Sequence, residues 1–263
     1  MRSTRYPDQD PSKAGPSPAG TLVKGDSNQV FKDILGNLPV EMVLDIATGQ
    51  GGFINILLEC YPENSQTVGV DVNLHLLLEA HAEYAAKKVE FSQMDGALMG
   101  FSGDSFDLVN SSVSLHHMLD IACVIKEMHR VLKPDGFCVF SEMYQDGQTD
   151  RQLSEVHLHH WVAEIDSALG ITHNQTLTRD EIVRCVSEPD WKSLTCYDYN
   201  NPGFDDRQEQ IVQQIDSSIT KHIQRAEVLP NYEQLRGRGE WIREWIHKNG
   251  AQRATVLIIL CQK

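Results

Sequence analysis

A chain of 263 residues, 41% hydrophobic and 23% charged, is long enough for one large α/β domain, or for one domain with a substantial insertion. Its formal net charge of −14 and pI near 5.1 argue against a phosphate-binding face for nucleic acid, and no run of Lys or Arg makes a local one. No apolar stretch approaches membrane-spanning length, and the first residues lack the apolar core of a secretory signal.

Residues 1–25, rich in Pro, Gly and Ser, read as a flexible tail before a single domain over 26–263. In chain order, "NQVFKDILGNLP" predicts a short amphipathic helix, "EMVLDIA" a buried strand, and "GGFINILLECYP" a helix. "QTVGVDVN" predicts a second strand and "LHLLLEAHAEYAAKK" a helix with apolar residues at three- and four-residue spacing. "VEFSQMD" and "FDLVNSSVS" follow as strands, then a helix over "MLDIACVIKEMHRVLKPDG" closed by Pro134 and Gly136, then the strand "FCVFSEM". Such alternation predicts a parallel sheet with helices on both faces and every strand's carboxyl end on one edge, where ligands bind.

After residue 150 the rhythm changes. Helices are predicted over "DRQLSEVHLHHWVAEIDSAL" and over "TLTRDEIVRCVSE", with Thr178 as N-cap of the second, then a strand over "WKSLTCYDYN". Two polar-faced helices follow between residues 204 and 250, and "ATVLIILCQ" is a strand too continuously apolar for an edge. The helical stretches at about 151–185 and 204–250 are expected to cover the ligand edge; the second could equally pack against another copy of the chain in a homodimer. Six cysteines without a CxxC pair suit reduced core thiols in a cytoplasmic protein.

The stretch "VLDIATGQGGF" raises the functional question. Three glycines directly after a buried strand suit a turn against which something lies closely. A dinucleotide fingerprint would need a third glycine where Ile54 stands, and no Walker lysine follows. Asp45, beside the turn, would repel a phosphate but suits an ammonium or sulfonium tail. Asp71, at the end of the second strand, can accept from both hydroxyls of a ribose, and Asp95 with Gly96 from an exocyclic adenine amine. A nucleoside with a cationic amino-acid tail meets all three demands, and S-adenosylmethionine is that molecule.

"VLDIATGQGG", "VGVDVN", "MDGALMGFSGDSFDLVNSSVSLHHM" and "EMHRVLKPDGFCVFSEM" resemble the successive motifs of class I S-adenosylmethionine-dependent methyltransferases, particularly the ubiquinone/menaquinone-type group, over roughly residues 28–145. The resemblance implies a doubly wound, Rossmann-like sheet of seven strands, mostly parallel, whose last strand runs antiparallel, here with a helical cover inserted near the C-terminus. It implies that Asp45, Ala47, Thr48, Gly49 and Gly51 surround the methionine portion. Asp71 and Val72 would take the ribose and adenine, Asp95 and Gly96 the adenine edge, and Asn110 and Ser111 the sulfonium side. Ala47 stands where many members carry glycine, and the long helical stretch between the last two strands departs from the usual hairpin.

"SLHHM" places His116 or His117 over the transferred methyl. His116 is the candidate base, with a structural cap of the next helix as the alternative, and His117, Glu142 and Tyr144 are candidate substrate contacts. In "HLHHW", His157 and His160 share a helix face while His159 points elsewhere; two imidazoles are an incomplete metal set, so no metal is expected. Trp241 and Trp245 share a helix face that could close over a substrate. The expected activity is methyl transfer to a small-molecule acceptor. A non-catalytic protein sensing the cofactor or its demethylated product is the alternative, and a nucleotide-dependent oxidoreductase is disfavoured by Ile54.

Overall fold

A computed structural model describes residues 18–61, 65–201 and 208–263. Strands β1 (Thr21–Lys24), β2 (Met42–Ile46), β3 (Gln66–Asp71), β4 (Val89–Gln93), β5 (Phe106–Ser112), β6 (Leu132–Met143), β7 (Ser193–Asn200) and β8 (Val256–Gln262) form one sheet. Its order is β1-β7-β8-β6-β5-β2-β3-β4. All neighbours pair in parallel except β8, which is antiparallel to both β6 and β7. The unbroken apolar run of β8 is thereby explained: it is inserted between two strands and buried on both faces.

Among the described residues the sheet has eight strands where seven were expected. Thr21–Lys24, assigned by composition to the tail, add a parallel edge strand against Tyr197–Asn200 of β7. The gain is in backbone hydrogen bonds, with little burial, so no hydrophobic alternation announces it.

Helices α1 (Ser27–Leu35), α2 (Ile54–Cys60) and α3 (Leu74–Glu83) precede β5, and α4 (Ile121–Val131) links β5 to β6. Asp26 caps α1 and Asn73 caps α3 by accepting from backbone N–H groups of the first turn. Helix α4 ends at Val131, before Pro134, and residues 132–136 already belong to β6, with a register shift against β5. One core lies between the sheet and α4 with α6 (Arg179–Val186), the other between the sheet and α1 with α2.

Helices α5 (Asp150–Ala168), α7 (Gln208–Ala226) and α8 (Tyr232–Asn249) have a third core, centred on the fully buried Trp161. The indole donates to the Leu235 carbonyl at 2.9 Å. Gly239 lets α8 approach, since a Cβ there would stand 2.6 Å from the Trp161 ring. Helices α7 and α8 stack on α5, and Trp241 and Trp245 flank His157 of α5, centroids 5.0 and 5.2 Å away. Residues 204–207 of the expected helix lie outside the described residues. Five of the six cysteines are buried, and none forms a disulfide. Among the described residues no helix is long and apolar enough to cross a membrane.

Candidate active site

The turn after β2 owes its shape to backbone conformations that most residues resist. Ala47, Gly49 and Gly51 have φ of 53°, 54° and 83°, all in the left-handed region. Ala47 thus holds the conformation for which glycine would be the easier choice. Gly51 is doubly constrained: a Cβ would stand 2.6 Å from the Tyr84 ring, and the Tyr84 hydroxyl donates to its carbonyl at 2.8 Å. Around Gly49 a Cβ would meet nothing within 4 Å, so the turn opens there to one side.

Two aspartates pin this turn. Asp45 is 1% exposed. Its oxygens accept from the Thr48 hydroxyl at 2.6 Å and the Asn110 amide at 2.5 Å. Burial raises its carboxyl to about pH 6 against the pull of those two bonds, with Asp71 adding a smaller repulsion. Sequence reasoning pointed this carboxylate at a ligand's cationic tail; the structure sets it beneath the turn, with both oxygens engaged inside the protein. Asp71, at the tip of β3, accepts from the N–H of Gly49 at 2.9 Å and of Asn73 at 2.8 Å. A carboxylate offers about four lone-pair positions, so Asp71 keeps acceptor capacity on its half-exposed side.

The remaining expected contacts line the same edge. Asp95, exposed after β4, accepts from the Ala97 N–H at 2.9 Å. Gly96 sits close over Ile46, 3.0 Å from where its Cβ would be. Asn110 and Ser111, at the end of β5, are fully buried; Ser111 shares a hydroxyl hydrogen bond with Ser114 at 2.7 Å. Of the apolar side chains exposed here, Val72 was expected from the resemblance, whereas Leu74, Leu98 and Val113 were not. Val72 is 63% and Leu98 82% exposed, with Leu74 and Val113 about half exposed. Val113 also has φ 48°, an unusual backbone angle for a β-branched residue. Apolar surface left open beside a polar turn is what a flat heterocycle would cover.

Beyond β5, Leu115–His117 form a single 3₁₀ turn. Glu142 of β6, 2% exposed, anchors it from below: one oxygen accepts from the N–H groups of Ser114 and Leu115 at 2.5 and 2.7 Å, the other from Nδ1 of His116 at 3.3 Å. Glu142 is thus a support for the turn, since neither oxygen is left facing a substrate. Tyr144 is likewise buried, its hydroxyl directed at Asp198 of β7 at 3.3 Å, and Asp198 is held by Arg179. Burial raises the Tyr144 phenol to about 12.

His116 does not stand alone. Its ring centroid lies 4.3 Å from that of His117, 4.6 Å from His159 and 5.6 Å from His173. His159 comes from α5 and His173 from the segment after it. That segment is strapped to the 3₁₀ turn by Asn174, whose N–H donates to the His116 carbonyl at 2.8 Å. The Nδ1 of His117 faces the Thr172 carbonyl at 3.2 Å. His173 bonds Asp166 through Nδ1 at 2.8 Å, and Arg225 of α7 donates to the same carboxylate at 2.6 Å. Burial, with the neighbouring imidazoles, lowers His159 to about 2, so its ring is neutral near pH 7. The reading of "HLHHW" is thereby reversed. His159 joins the cluster, while His157 meets Trp241 and Trp245, and His160 bonds the Thr176 hydroxyl at 2.8 Å. No signal in the sequence marks His173, which folds back onto the cluster from a loop.

The chain is similar to known methyltransferases. Residues 44–140 match the methyltransferase domain family. The ubiquinone/menaquinone biosynthesis C-methyltransferase UbiE of Desulfotalea psychrophila is 33% identical over 97 residues, 37% of this chain and 39% of that protein. A demethylmenaquinone methyltransferase of Roseiflexus castenholzii is 29% identical over 163 residues, 58% of this chain and 68% of its own length. The chain spans 39% and 44% of the length of two curated relatives it matches. Among solved structures, the YcgJ protein of Bacillus subtilis superposes with a TM-score of 0.58 at 19% identity, covering 90% of this chain and 97% of that one. Phosphoethanolamine N-methyltransferase 2 of Haemonchus contortus does so at 0.55 and 19% identity, covering 90% of this chain and 52% of that one. Residues 44–140 are therefore a methyltransferase domain, set within a sheet that has the class I methyltransferase fold.

Proposed function

We propose that this protein is an S-adenosylmethionine-dependent methyltransferase acting on a small-molecule acceptor. The observation that carries this reading is the strand edge itself. Within it, the open side of Gly49, the spare acceptor capacity of Asp71 and the exposed Val72 and Leu98 follow the ends of the adjacent strands β2, β3 and β4. Asp71 would hold the ribose hydroxyls, Val72 and Leu98 the faces of the adenine, and Asp95 with Gly96 its edge. The backbone of Ala47, Thr48, Gly49 and Gly51 would surround the methionine portion, with Asp45 and Asn110 fixing its shape from beneath and Ser111 on the sulfonium side. When bound, S-adenosylmethionine supplies a methyl already activated on a sulfonium.

The chain's own contribution is then chiefly proximity, orientation and exclusion of water. His116 is held by Glu142 with Nδ1 engaged, which leaves Nε2 to accept a proton from an oxygen or nitrogen acceptor. His117, exposed on the same turn, is the substrate contact. Relatives named for demethylmenaquinone, arsenite and malonyl-carrier-protein substrates each match only 41–44% of the chain, which suits an acceptor selected by residues beyond the shared stretch. Buried, reduced cysteines suit a cytoplasmic setting.

Isothermal titration of the full chain with S-adenosylmethionine, S-adenosylhomocysteine and NAD tests the reading. The first two should bind at one per chain and NAD should not. Asp71→Ala should weaken binding about ten- to a hundred-fold, as expected for losing hydrogen bonds to a charged group. Binding of NAD alone would overturn the assignment. Transfer of labelled methyl into a metabolite extract then separates an enzyme from a sensor.

A further inference from the structure

The geometry points to a binding site for a divalent transition-metal ion formed by His116, His117 and His173, with His159 at the fourth position. This inference goes beyond methyl transfer and does not rest on it. One ring nitrogen from each of the first three lies within 4.8 Å of the other two.

The proton positions carry the case. Nδ1 of His116 faces the Glu142 carboxylate, Nδ1 of His117 the Thr172 carbonyl, and Nδ1 of His173 the Asp166 carboxylate. Carbonyls and ionised carboxylates only accept, so each of these rings donates from Nδ1 and leaves Nε2 as a bare lone pair. These three rings crowd together, with centroids 4.3–5.6 Å apart. Within the cluster, the single N–H to share among them is that of His159, whose Nε2 stands 3.1 Å from Nε2 of His173. A cation would satisfy all of them together. Bonds of about 2.0–2.1 Å in a tetrahedral set place two ligand nitrogens about 3.3–3.4 Å apart. The His159–His173 pair is already near that separation, and the other ring nitrogens, within 4.8 Å of one another, would close by up to about 1.5 Å around an ion.

What surrounds the rings also fits. Histidines that hold a metal give their second N–H to a carboxylate or carbonyl, which fixes the tautomer and raises ligand basicity. All three rings have such a partner, and Asp166 is itself held by Arg225. An all-imidazole set suits zinc, copper, nickel or iron rather than magnesium or calcium. His117 is exposed and gives an entry path, while His116 and His173 are buried. With Nε2 of His116 engaged on an ion, that ring would no longer serve as a base; the ion would instead lower the pKa of a coordinating acceptor oxygen, whose proton would pass to water.

The test uses full-length protein stripped with a chelator and free of S-adenosylmethionine, so that its outcome is separate from that of the cofactor reading. Zinc sulfate is titrated calorimetrically, and cobalt(II) is followed by its visible absorption. One ion per chain is expected, with an intense tetrahedral cobalt spectrum. Binding should be lost in His117→Ala, whose exposed side chain makes misfolding a remote outcome, and in His173→Ala. Asp166→Asn should weaken it about ten- to a hundred-fold. His75→Ala and His81→Ala, on the exposed face of α3, should leave it unchanged. Urea unfolding of each variant confirms that it is folded. Absence of stoichiometric binding, or binding that persists in the folded His117→Ala, His173→Ala double variant, would overturn the site.

Discussion

At the scale of single residues, Asp45 and Gly51 carry the sharpest expectations. An ordinary aspartate loses its proton near pH 3.8, but burial holds this one to about pH 6 in the folded protein. The native state therefore binds the proton more tightly than the unfolded chain does. The associated stability is complete below about pH 3.8 and is lost as pH rises through about 6, and two units correspond to about 3 kcal/mol. Asp45→Asn removes the buried charge and keeps the bond to Thr48. Asn110, whose Oδ1 lacks a partner, can turn its amide to match. Relative to wild type, the variant should gain up to about 3 kcal/mol between pH 4 and 7 in urea unfolding. A difference independent of pH would refute the buried-charge account. Gly51→Ala should cost about 1–3 kcal/mol, because a Cβ would meet Tyr84 on a left-handed backbone.

At the scale of elements, local chemistry and packing act separately. Thr149 and Gln152 form a capping box at the start of α5, and Thr178 and Glu181 do so at α6. Thr178→Ala should cost about 1 kcal/mol, read as a lower urea midpoint with an unchanged slope. The three-helix unit depends instead on Trp161. Trp161→Ala should cost about 3–5 kcal/mol and loosen α8 from α5, seen as faster amide exchange in both helices. The N-cap of α6 was readable because a Thr-x-x-Glu signature is local. The partner of α8 was not, since an aromatic helix face says that something is covered and not what covers it.

At the scale of the whole molecule, β1 is an addition to the methyltransferase sheet. Its four residues gain pairing with β7 but little burial. Removing residues 1–24 should lower the melting temperature by a few degrees, about 1–2 kcal/mol for a domain of this size, while cofactor affinity stays within about twofold. A loss of cofactor binding on truncation would place this segment in the site. By itself the sequence determined the order of strands and helices from α1 onward, the burial of β8, and the cluster of acids and glycines at the strand tips, because hydrophobic period and turn chemistry act over neighbouring residues; the antiparallel direction of β8 was implied by the family resemblance. Only the tertiary structure decided that Asp45 turns inward, that α7 and α8 stack on α5, and that His159 and His173 meet His116 and His117. Those outcomes depend on which surfaces meet across dozens of intervening residues, and chain-local patterns carry no record of that choice.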